Sequence, residues 1–183
     1  MGCDINSIKT LEEQKNIIGI KEIEDKNFFI EKIYSDALNL HNKYREKHNS
    51  QQLTLSDKLC KIAQKKVFDL ISGNNDKTID SEEDNKLGEN ICISLCKDVD
   101  VEKACESWYN EGKSYNFNLN TYQKGTTHFT QMVWKDTKEI GFGYSKLNNG
   151  KSYFIALYSP SGNELFKFKE NVEKNLDSSN ILL

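Results

Sequence analysis

The feature that most constrains the fold is an alternating segment near the C-terminal end of the chain. Apolar side chains occupy every second position on both sides of the dipeptide Asn149–Gly150. These alternating residues are Ile140, Phe142, Tyr144, Tyr153, Ile155 and Leu157. A period of two is typical of a strand, and Asn-Gly favours a tight two-residue turn. The pattern therefore predicts a β-hairpin.

Three segments before the hairpin have the apolar periodicity of helices. They run over about 27–47, from the N-cap Ser56 to Gly73, and from near Asp98 or Asp100 to about Gly112. Residues 91–95 are a short strand candidate, and residues 73–87 form an acidic, polar surface loop. Helices before and within a small antiparallel sheet predict an α+β, layered architecture.

The chain has the length of one domain with additional segments at both ends. We predict a charged leader over 1–28, a domain over 29–172 and a flexible polar tail over 173–183. The net charge of −3 gives no cationic face for phosphate groups. We therefore expect no nucleic-acid partner.

The cysteine content favours a reducing, intracellular compartment. The five cysteines have no regular spacing, and the sequence has no Asn-x-Ser/Thr acceptor and no signal-peptide pattern. Three of them lie in apolar stretches and are expected to be buried thiols rather than nucleophiles. These three are Cys92, Cys96 and Cys105.

The start Met1–Gly2–Cys3 suggests acylation. Gly2 is positioned for N-myristoylation and Cys3 for palmitoylation, although Asn6 stands where the usual pattern has Ser or Thr. Two acyl chains give a lasting membrane anchor, whereas one binds only marginally. A chance Gly2 after Met1 is the alternative.

Three ionisable residues stand next to apolar segments: Glu89, Glu111 and His128. Glu111 follows Trp108 by three residues, so helical geometry places both on one face. A carboxylate on an apolar face needs a partner, because desolvating its charge is costly. The three residues can form a buried hydrogen-bonded cluster or share a divalent cation.

Four motifs occur in a fixed order over roughly Tyr34 to Val172, and the segment His41–Asn42 with Arg45 precedes them. The four motifs are Gly88–Glu89–Asn90–Ile91, Trp108–Tyr109–Asn110–Glu111, His128-Phe129-Thr130-Gln131-Met132-Val133-Trp134 and Tyr158–Ser159–Pro160–Ser161–Gly162–Asn163. Together they resemble the signature motifs of the CAP superfamily (cysteine-rich secretory, antigen five and pathogenesis-related proteins). The resemblance implies a three-layer α-β-α sandwich with a central cleft.

Within this superfamily the chain is most similar to the intracellular Golgi-associated plant pathogenesis-related branch and its helminth venom-allergen-like relatives. The segment Tyr115–Asn116–Phe117 fits that branch, as does Ala156, where secreted members commonly have cysteine. The resemblance implies attachment through an N-terminal myristoyl group to the cytoplasmic face of Golgi or other membranes. Export by a non-classical route is the alternative. Self-association as a homodimer is a further implication.

The family's cleft commonly has two histidines and two glutamates that hold zinc or magnesium. By position, the resemblance assigns Glu89, Glu111 and His128 to this set, but Thr78 stands where the first histidine is expected. Losing an imidazole weakens the site and shifts its preference to harder cations. We therefore expect at most weak binding of Zn²⁺ or Mg²⁺ and no resident cofactor. His41 is assigned a structural role, and His48 is predicted to be solvated at a helix end.

The resemblance leaves three functions open. The first is a non-enzymatic, membrane-associated module that binds a sterol, a fatty acid or an anionic phospholipid. Its predicted lipid contacts are Tyr115, Phe117 and Tyr122, for which packing onto the domain is the alternative. The second is a regulatory, homodimerising scaffold without a lipid ligand. The third is a residual metal-dependent hydrolase, which the missing histidine disfavours. Nucleophilic catalysis is disfavoured separately, because no serine or cysteine near His128 has a recognisable catalytic context.

Overall fold

The computed structural model describes residues 27–73, 86–95 and 100–175, and the chain divides into two units between Ser35 and Asp36. The helices are 27–47 (α1), Asp57–Ser72 (α2), Val101–Asn110 (α3), Thr127–Val133 (α4) and Phe168–Asn171 (α5). The strands are Thr54–Leu55 (β1), Gly88–Ser94 (β2), Glu139–Lys146 (β3) and Ser152–Ser159 (β4). A short 3₁₀ helix over Glu111–Ser114 follows α3. In these described ranges, none of the helices has the length and apolar character that crossing a bilayer requires.

The predicted hairpin forms the centre of a four-stranded sheet with the order β1-β3-β4-β2. Strands β3 and β4 pair in antiparallel, with Phe142 opposite Ala156, and the turn includes Gly150 at a φ of 81°. Strand β2 also pairs with β4 in antiparallel, whereas the two-residue β1 runs parallel to β3, which the sequence pattern did not indicate. The predicted α+β, three-layer fold is confirmed.

Helix α2 begins and ends where the sequence predicts. Ser56 has an extended backbone at the N-cap, and Gly73 ends the helix in the left-handed conformation with a φ of 66°. The inward residues of α2 are spaced four apart. They pack against the side chains of the odd-numbered residues of β4, which point to one face of the sheet while those of the even-numbered residues point to the other. This cluster contains Ala63, Val67, Tyr153, Ile155 and Leu157.

Two glycines of β3 allow α2 to lie unusually close to the sheet. A Cβ atom at Gly141 would lie 2.4 Å from the backbone of Leu59, and one at Gly143 would lie 2.5 Å from the carbonyl of Ala63. Real Cβ atoms do not approach backbone this closely. Any side chain at either position would therefore force the helix away from the strand.

Two fully buried polar residues of α1 organise the opposite face of the sheet. The His41 Nδ1–H donates to the carbonyl of Ala37 (2.7 Å), so the Nε2 atom accepts from the Tyr158 hydroxyl (2.8 Å). The Arg45 guanidinium donates to four backbone carbonyls that lie on the chain before β1 and around the end of α4. These carbonyls belong to Gln51, Met132, Trp134 and Thr137.

Several features differ from the sequence-based expectations. The motif around His128 forms the helix α4, for which the sequence pattern gave no assignment. His48 is buried rather than solvated, because its imidazole contacts the carbonyl of Glu173 (2.6 Å) and the hydroxyl of Tyr109 (3.0 Å). Glu173, the first residue of the predicted flexible tail, is therefore in contact with His48, which directly follows α1. The predicted acylation sites Gly2 and Cys3 lie outside the described residues.

Candidate functional site

Glu111 and His128 form a direct contact between the end of α3 and the start of α4. The His128 Nδ1–H donates to Glu111 Oε1 at 2.7 Å. The second carboxylate oxygen, Oε2, accepts the backbone N–H groups of His128 (3.0 Å) and Phe129 (3.3 Å). Both side chains are partly exposed, at 24% for Glu111 and 36% for His128. One carboxylate thus fixes both the backbone and the ring of His128.

The carboxylate of Glu111 acts as the N-terminal cap of α4. The N-cap residue Thr126 forms no side-chain capping bond to the helix, which leaves free N–H groups in the first turn. Glu111 accepts from two of these groups although it comes from a different element. The pair therefore has a structural role that is independent of any ligand.

Replacing Glu111 with glutamine is expected to lower the free energy of unfolding by about 1–2 kcal/mol. The amide oxygen can still accept the two backbone N–H groups, but without the carboxylate charge these bonds weaken, and the imidazole must change tautomer to accept from the amide NH₂. Urea denaturation measures the loss. Glu106→Gln is the matched control, because Glu106 is an exposed residue of α3 that undergoes the same chemical change. Equal stability of the two variants would contradict the capping role.

The imidazole of His128 has a ring contact on one side, and the backbone of His128 is held by an amide. It stacks on Trp108 with ring centroids 6.0 Å apart, and Trp108 in turn stacks on Phe154. The Asn90 amide donates to the backbone carbonyl of His128 (3.2 Å) and to the Tyr158 hydroxyl (3.0 Å). These contacts place His128 on the even-numbered face of β4, the face opposite α2.

Glu89 lies on the other face of the sheet. Neighbouring residues of a strand point to opposite faces, so Glu89 points away from the side that Asn90 occupies. In the sheet register Glu89 lies opposite Leu157, whose side chain packs against α2. Its carboxylate accordingly forms an ion pair with Lys66 of α2 at 2.9 Å. The structure brings Glu111 and His128 together and leaves Glu89 apart from them.

The donor set of the described residues does not fit a metal ion. Zinc sites in proteins normally have at least three protein ligands. Among residues 27–73, 86–95 and 100–175, no three or more His, Cys, Asp and Glu side chains form a group able to hold one. Glu111 and His128 supply two donors, and Glu89 is paired with a lysine. Thr78 lies outside the described residues, so the predicted weak metal binding stays a prediction.

A partly enclosed cavity of about 280 Å³ lies beside the end of α3. Four of its nine described lining residues have aromatic rings, and two are exposed lysines. The residues that line it are His48, Tyr109, Asn110, Gly112, Lys113, Phe117, Phe129, Lys174 and Asn175. Gly112 permits the close approach of the Phe129 ring, because a Cβ there would lie 2.7 Å from it. The described lining contains no acidic residue.

The three predicted lipid contacts lie in different environments. Tyr115 is buried, with its ring 4.9 Å from Phe117 and 5.8 Å from Phe129, so packing accounts for its position. Phe117 is half-buried and lines the cavity, whereas Tyr122 is 50% exposed on the following loop. Sequence reasoning missed Lys113 and Lys174. Lys113 lies between Glu111 and Tyr115, two residues that the sequence motifs single out, so its place near the site could have been predicted. Lys174 was assigned to the tail, so no sequence pattern indicated it.

The described cysteines are shielded from solvent to different degrees: Cys105 is buried, whereas Cys60 and Cys92 are half-buried. Cys60, Cys92 and Cys105 are free, and burial raises the pKa of each of them. A raised pKa lowers the fraction of thiolate, which is the nucleophilic form. Cys96 lies outside the described residues. The described thiols are therefore poor nucleophiles.

Comparison with known proteins agrees with the motif order and the fold. Residues 38–158 match the model of the CAP family, described as the cysteine-rich secretory protein family. Golgi-associated plant pathogenesis-related protein 1 of Homo sapiens is 36% identical over 141 residues, covering 76% of this chain and 91% of that protein. Venom allergen 5 of Polistes dominula is 32% identical over 171 residues, covering 88% and 73%.

Solved structures show the same fold. Schistosoma mansoni venom allergen-like protein 4 matches with a TM-score of 0.61 and 24% identity, covering 80% of this chain and 97% of that one. BmVAL-1 matches with a TM-score of 0.60 and 24% identity, covering 73% and 79%. The family match, the two relatives and the shared fold lead to one conclusion: the chain belongs to the CAP, or cysteine-rich secretory protein, family.

Proposed function

We propose that this CAP-domain protein is a non-enzymatic lipid-binding module that takes a single-chain amphiphile with an anionic head group. The observation that carries the proposal is the aromatic cavity with two lysines at its edge. Its volume of about 280 Å³ lies just below the usual range of about 300–1,000 Å³ for ligand cavities. A fatty acid therefore suits it better than a larger lipid.

The walls of the cavity suit an acyl chain. Phe129 is buried and packs edge-on against Tyr109, with ring centroids 5.8 Å apart, while Phe117 approaches Phe129 at 6.2 Å. The His48 ring closes one side, and burial lowers its pKa, which favours the neutral form at neutral pH. The interior therefore presents uncharged rings, against which an apolar chain loses contact with water.

The edge of the cavity suits a carboxylate. Lys113 and Lys174 supply two ammonium groups, and the described lining has no acidic side chain to compete for them. The Glu173 carboxylate, the acid next to Lys174, is turned toward Lys135 and Asn49. An anionic head group at the edge thus meets two positive charges while its chain enters the cavity.

Two observations support a binding role rather than catalysis. The Glu111 carboxylate orients His128 and caps α4, but nucleophilic catalysis also needs an activated Ser or Cys beside the imidazole. The free thiols of Cys60, Cys92 and Cys105 have raised pKa values, so they are weak nucleophiles. We assign no reaction to the site.

Calorimetric titration with dodecanoate and with dodecyltrimethylammonium tests the proposal. The two ligands share a chain length and differ in the sign of the head group, so we expect saturable binding of dodecanoate and much weaker binding of the cation. Charge reversal of Lys113 and Lys174 to glutamate is expected to weaken dodecanoate binding by about tenfold.

The matched control reverses Lys61 and Lys65, which are exposed on α2 away from the cavity. It changes the net charge of the protein equally and should leave dodecanoate binding unchanged. Absence of dodecanoate binding, or an equal loss in both double variants, would contradict the proposal.

Membrane association through the N-terminus stays a separate prediction. Acylation of Gly2, with or without Cys3, would attach the domain to the cytoplasmic face of a membrane. The intact mass of the protein made in a eukaryotic cell that performs N-myristoylation measures it directly.

A further inference from the structure

A second cavity, of about 360 Å³, lies at the end of the sheet where α2 begins. Its described lining comes from the first residues of α2, the residues before β2, the start of β3 and the chain where β4 ends. No described lining residue is shared with the cavity beside α3. The volume lies within the usual range of about 300–1,000 Å³ for ligand cavities. The second cavity is therefore large enough to be a binding site of its own.

The floor of the second cavity is apolar and rests on the core. Leu59 is buried, and the half-buried Ile62 and Leu87 pack against the cluster between α2 and β4. Pro160 adds an apolar ring to the lining, and its carbonyl is held by the Thr137 hydroxyl at 3.0 Å. An apolar group that enters the cavity loses contact with water on this floor.

Backbone hydrogen bonds fix the walls of the second cavity. The Ser56 N–H donates to the carbonyl of Ile140 (2.8 Å), which holds the start of α2 beside the start of β3. The Lys138 N–H donates to the carbonyl of Ser159 (2.9 Å), which holds the end of β4 at the same place. The cavity is formed without a ligand, so binding has a smaller ordering cost.

The second cavity carries charges of opposite sign on different strands. Glu139 begins β3 and Lys86 precedes β2, and both are exposed lining residues. Among residues 27–73, 86–95 and 100–175, neither takes part in the ion pairs of the structure. Ser56 also lines the cavity, and its hydroxyl forms no capping bond to α2. A carboxylate, an ammonium group and a hydroxyl thus face one apolar floor.

The sheet order sets the distance between the two charged residues. Strand β4 lies between β3 and β2, with Ser159 opposite Glu139 and Tyr158 opposite Gly88. Adjacent strands are about 4.8 Å apart, so the backbones of β3 and β2 are about 10 Å apart. A single amino acid has both charges on one Cα atom, which is too close to meet both groups. A dipeptide is longer by about 3.3–3.6 Å, and the two side chains cover the rest.

We propose that the second cavity binds an apolar dipeptide with free termini. The α-ammonium group of the dipeptide pairs with the Glu139 carboxylate, and its carboxylate pairs with the Lys86 ammonium group. Its apolar side chains lie on the floor formed by Leu59, Ile62 and Leu87. Charge-assisted bonds at both ends fix the direction of the peptide, and the floor selects apolar residues. This inference goes beyond the fatty-acid cavity and needs no ligand in it.

Calorimetric titration of the full chain with leucyl-leucine tests the inference. N-acetyl-leucyl-leucine lacks the cationic terminus, and leucyl-leucinamide lacks the anionic one. We expect saturable binding of leucyl-leucine and binding weaker by about tenfold or more for each blocked form, because each loses one charge-assisted pair. Free leucine should also bind more weakly, since its charges cannot reach both groups. No saturable binding of leucyl-leucine, or equal binding of the blocked forms, would overturn the inference.

Two variants assign the ends of the peptide. Glu139→Gln and Lys86→Gln should each weaken leucyl-leucine binding by about tenfold. N-acetylation should then make little further difference to Glu139→Gln, and amidation little further difference to Lys86→Gln. Glu106→Gln and Lys43→Gln are the matched controls, because both residues are exposed on other helices and undergo the same chemical change. Equal losses in the controls would show that net charge, and not the cavity, determines binding.

The dodecanoate titration separates the second cavity from the proposed lipid-binding function. Lys113 and Lys174 line only the cavity beside α3, so reversing their charges should leave leucyl-leucine binding unchanged. Displacement of leucyl-leucine by dodecanoate would show that one site takes both ligands and would contradict the inference. Failure of dodecanoate to bind contradicts the fatty-acid cavity alone, whereas failure of leucyl-leucine contradicts the second cavity alone.

Discussion

Replacing Arg45 with methionine is expected to lower the free energy of unfolding by about 3–5 kcal/mol. The guanidinium is fully buried, and burial lowers the pKa of Arg45 to about 10, so it carries its charge at neutral pH. Its donors satisfy four carbonyls at 2.7–3.1 Å. Methionine has a similar length and no donor, so all four acceptors lose a partner, and the bonds to Met132, Trp134 and Thr137 are lost in buried surroundings.

The guanidinium joins two chain segments, which also meet through the Ser50 hydroxyl bond to the Val133 carbonyl and through the pairing of β1 with β3. One bond holds the chain that leads into β1, and three hold the end of α4 and the turn that leads into β3. Hydrogen bonds from a charged donor are stronger than neutral ones, and an unsatisfied buried acceptor costs about 1–3 kcal/mol. Lysine should rescue little, because one ammonium cannot reproduce the planar fork of donors.

Chemical denaturation of Arg45→Met beside Lys43→Met measures this effect. Lys43 is an exposed residue of α1, so its variant makes the same loss of charge in the same helix without breaking buried bonds. The control should lie within about 0.5 kcal/mol of the wild type. A loss below about 1 kcal/mol for Arg45→Met would show that the four bonds are not a main support of the fold.

The protein is expected to lose stability as the pH falls from about 7 to 5, by about 2 kcal/mol through His41 alone. Burial lowers the pKa of His41 from 6.5 to about 4, and the nearby Arg45 charge adds to this, although the bond to Ala37 opposes it. Between pH 6.5 and about pH 4, His41 takes up a proton in the unfolded chain but not in the folded protein. The unfolded state is then favoured, so stability is lost as the pH falls. His48 contributes in the same direction.

Two measurements check this pH dependence. The free energy of unfolding at pH 7 and at pH 5 should differ less in His41→Gln than in the wild type, whatever the absolute stability of the variant. The imidazole resonance of His41 should remain that of the neutral ring at pH 5. A midpoint near 6.5 for His41, or an unchanged pH difference in His41→Gln, would show that the ring is accessible to water in the folded protein.

The parts of the fold that the sequence predicts well are those set by local chemistry. The hairpin follows from strict alternation around Asn149–Gly150, and α2 follows from its apolar spacing between Ser56 and Gly73. The start of α3 is equally local, since the Asp100 side chain accepts from the backbone N–H of Lys103. Each of these signals lies within a few residues of the structure that it determines.

The parts that the sequence does not predict depend on contacts between distant segments. Helix α4 is short and its cap comes from Glu111, seventeen positions before His128 in the chain, so no local capping signal marks its start. His48 is at a helix end and would be solvated there, but Tyr109 and Glu173 enclose it. Burial of this kind follows from the tertiary fold and not from periodicity.

Family resemblance placed Glu89 beside Glu111 and His128, whereas the sheet register separates them. The three residues belong to successive motifs of the family. Only the alternation of side chains along β2 shows that Glu89 shares a sheet face with Leu157, where it pairs with Lys66 of α2. The cavity is a similar case, because Lys113 and Lys174 are far apart in sequence and both line it.

The most direct test of the proposed lipid-binding function is a set of intermolecular NOEs from a ¹³C-labelled dodecanoate to the protein. We expect NOEs from the chain to the rings of Phe117, Phe129 and Tyr109, which line the cavity. The carboxylate end should shift the resonances of Lys113 and Lys174. A complex in which these rings give no NOEs while Phe68 or Phe166 does would contradict the proposed function, because the ligand would then bind an exposed surface and leave the cavity empty.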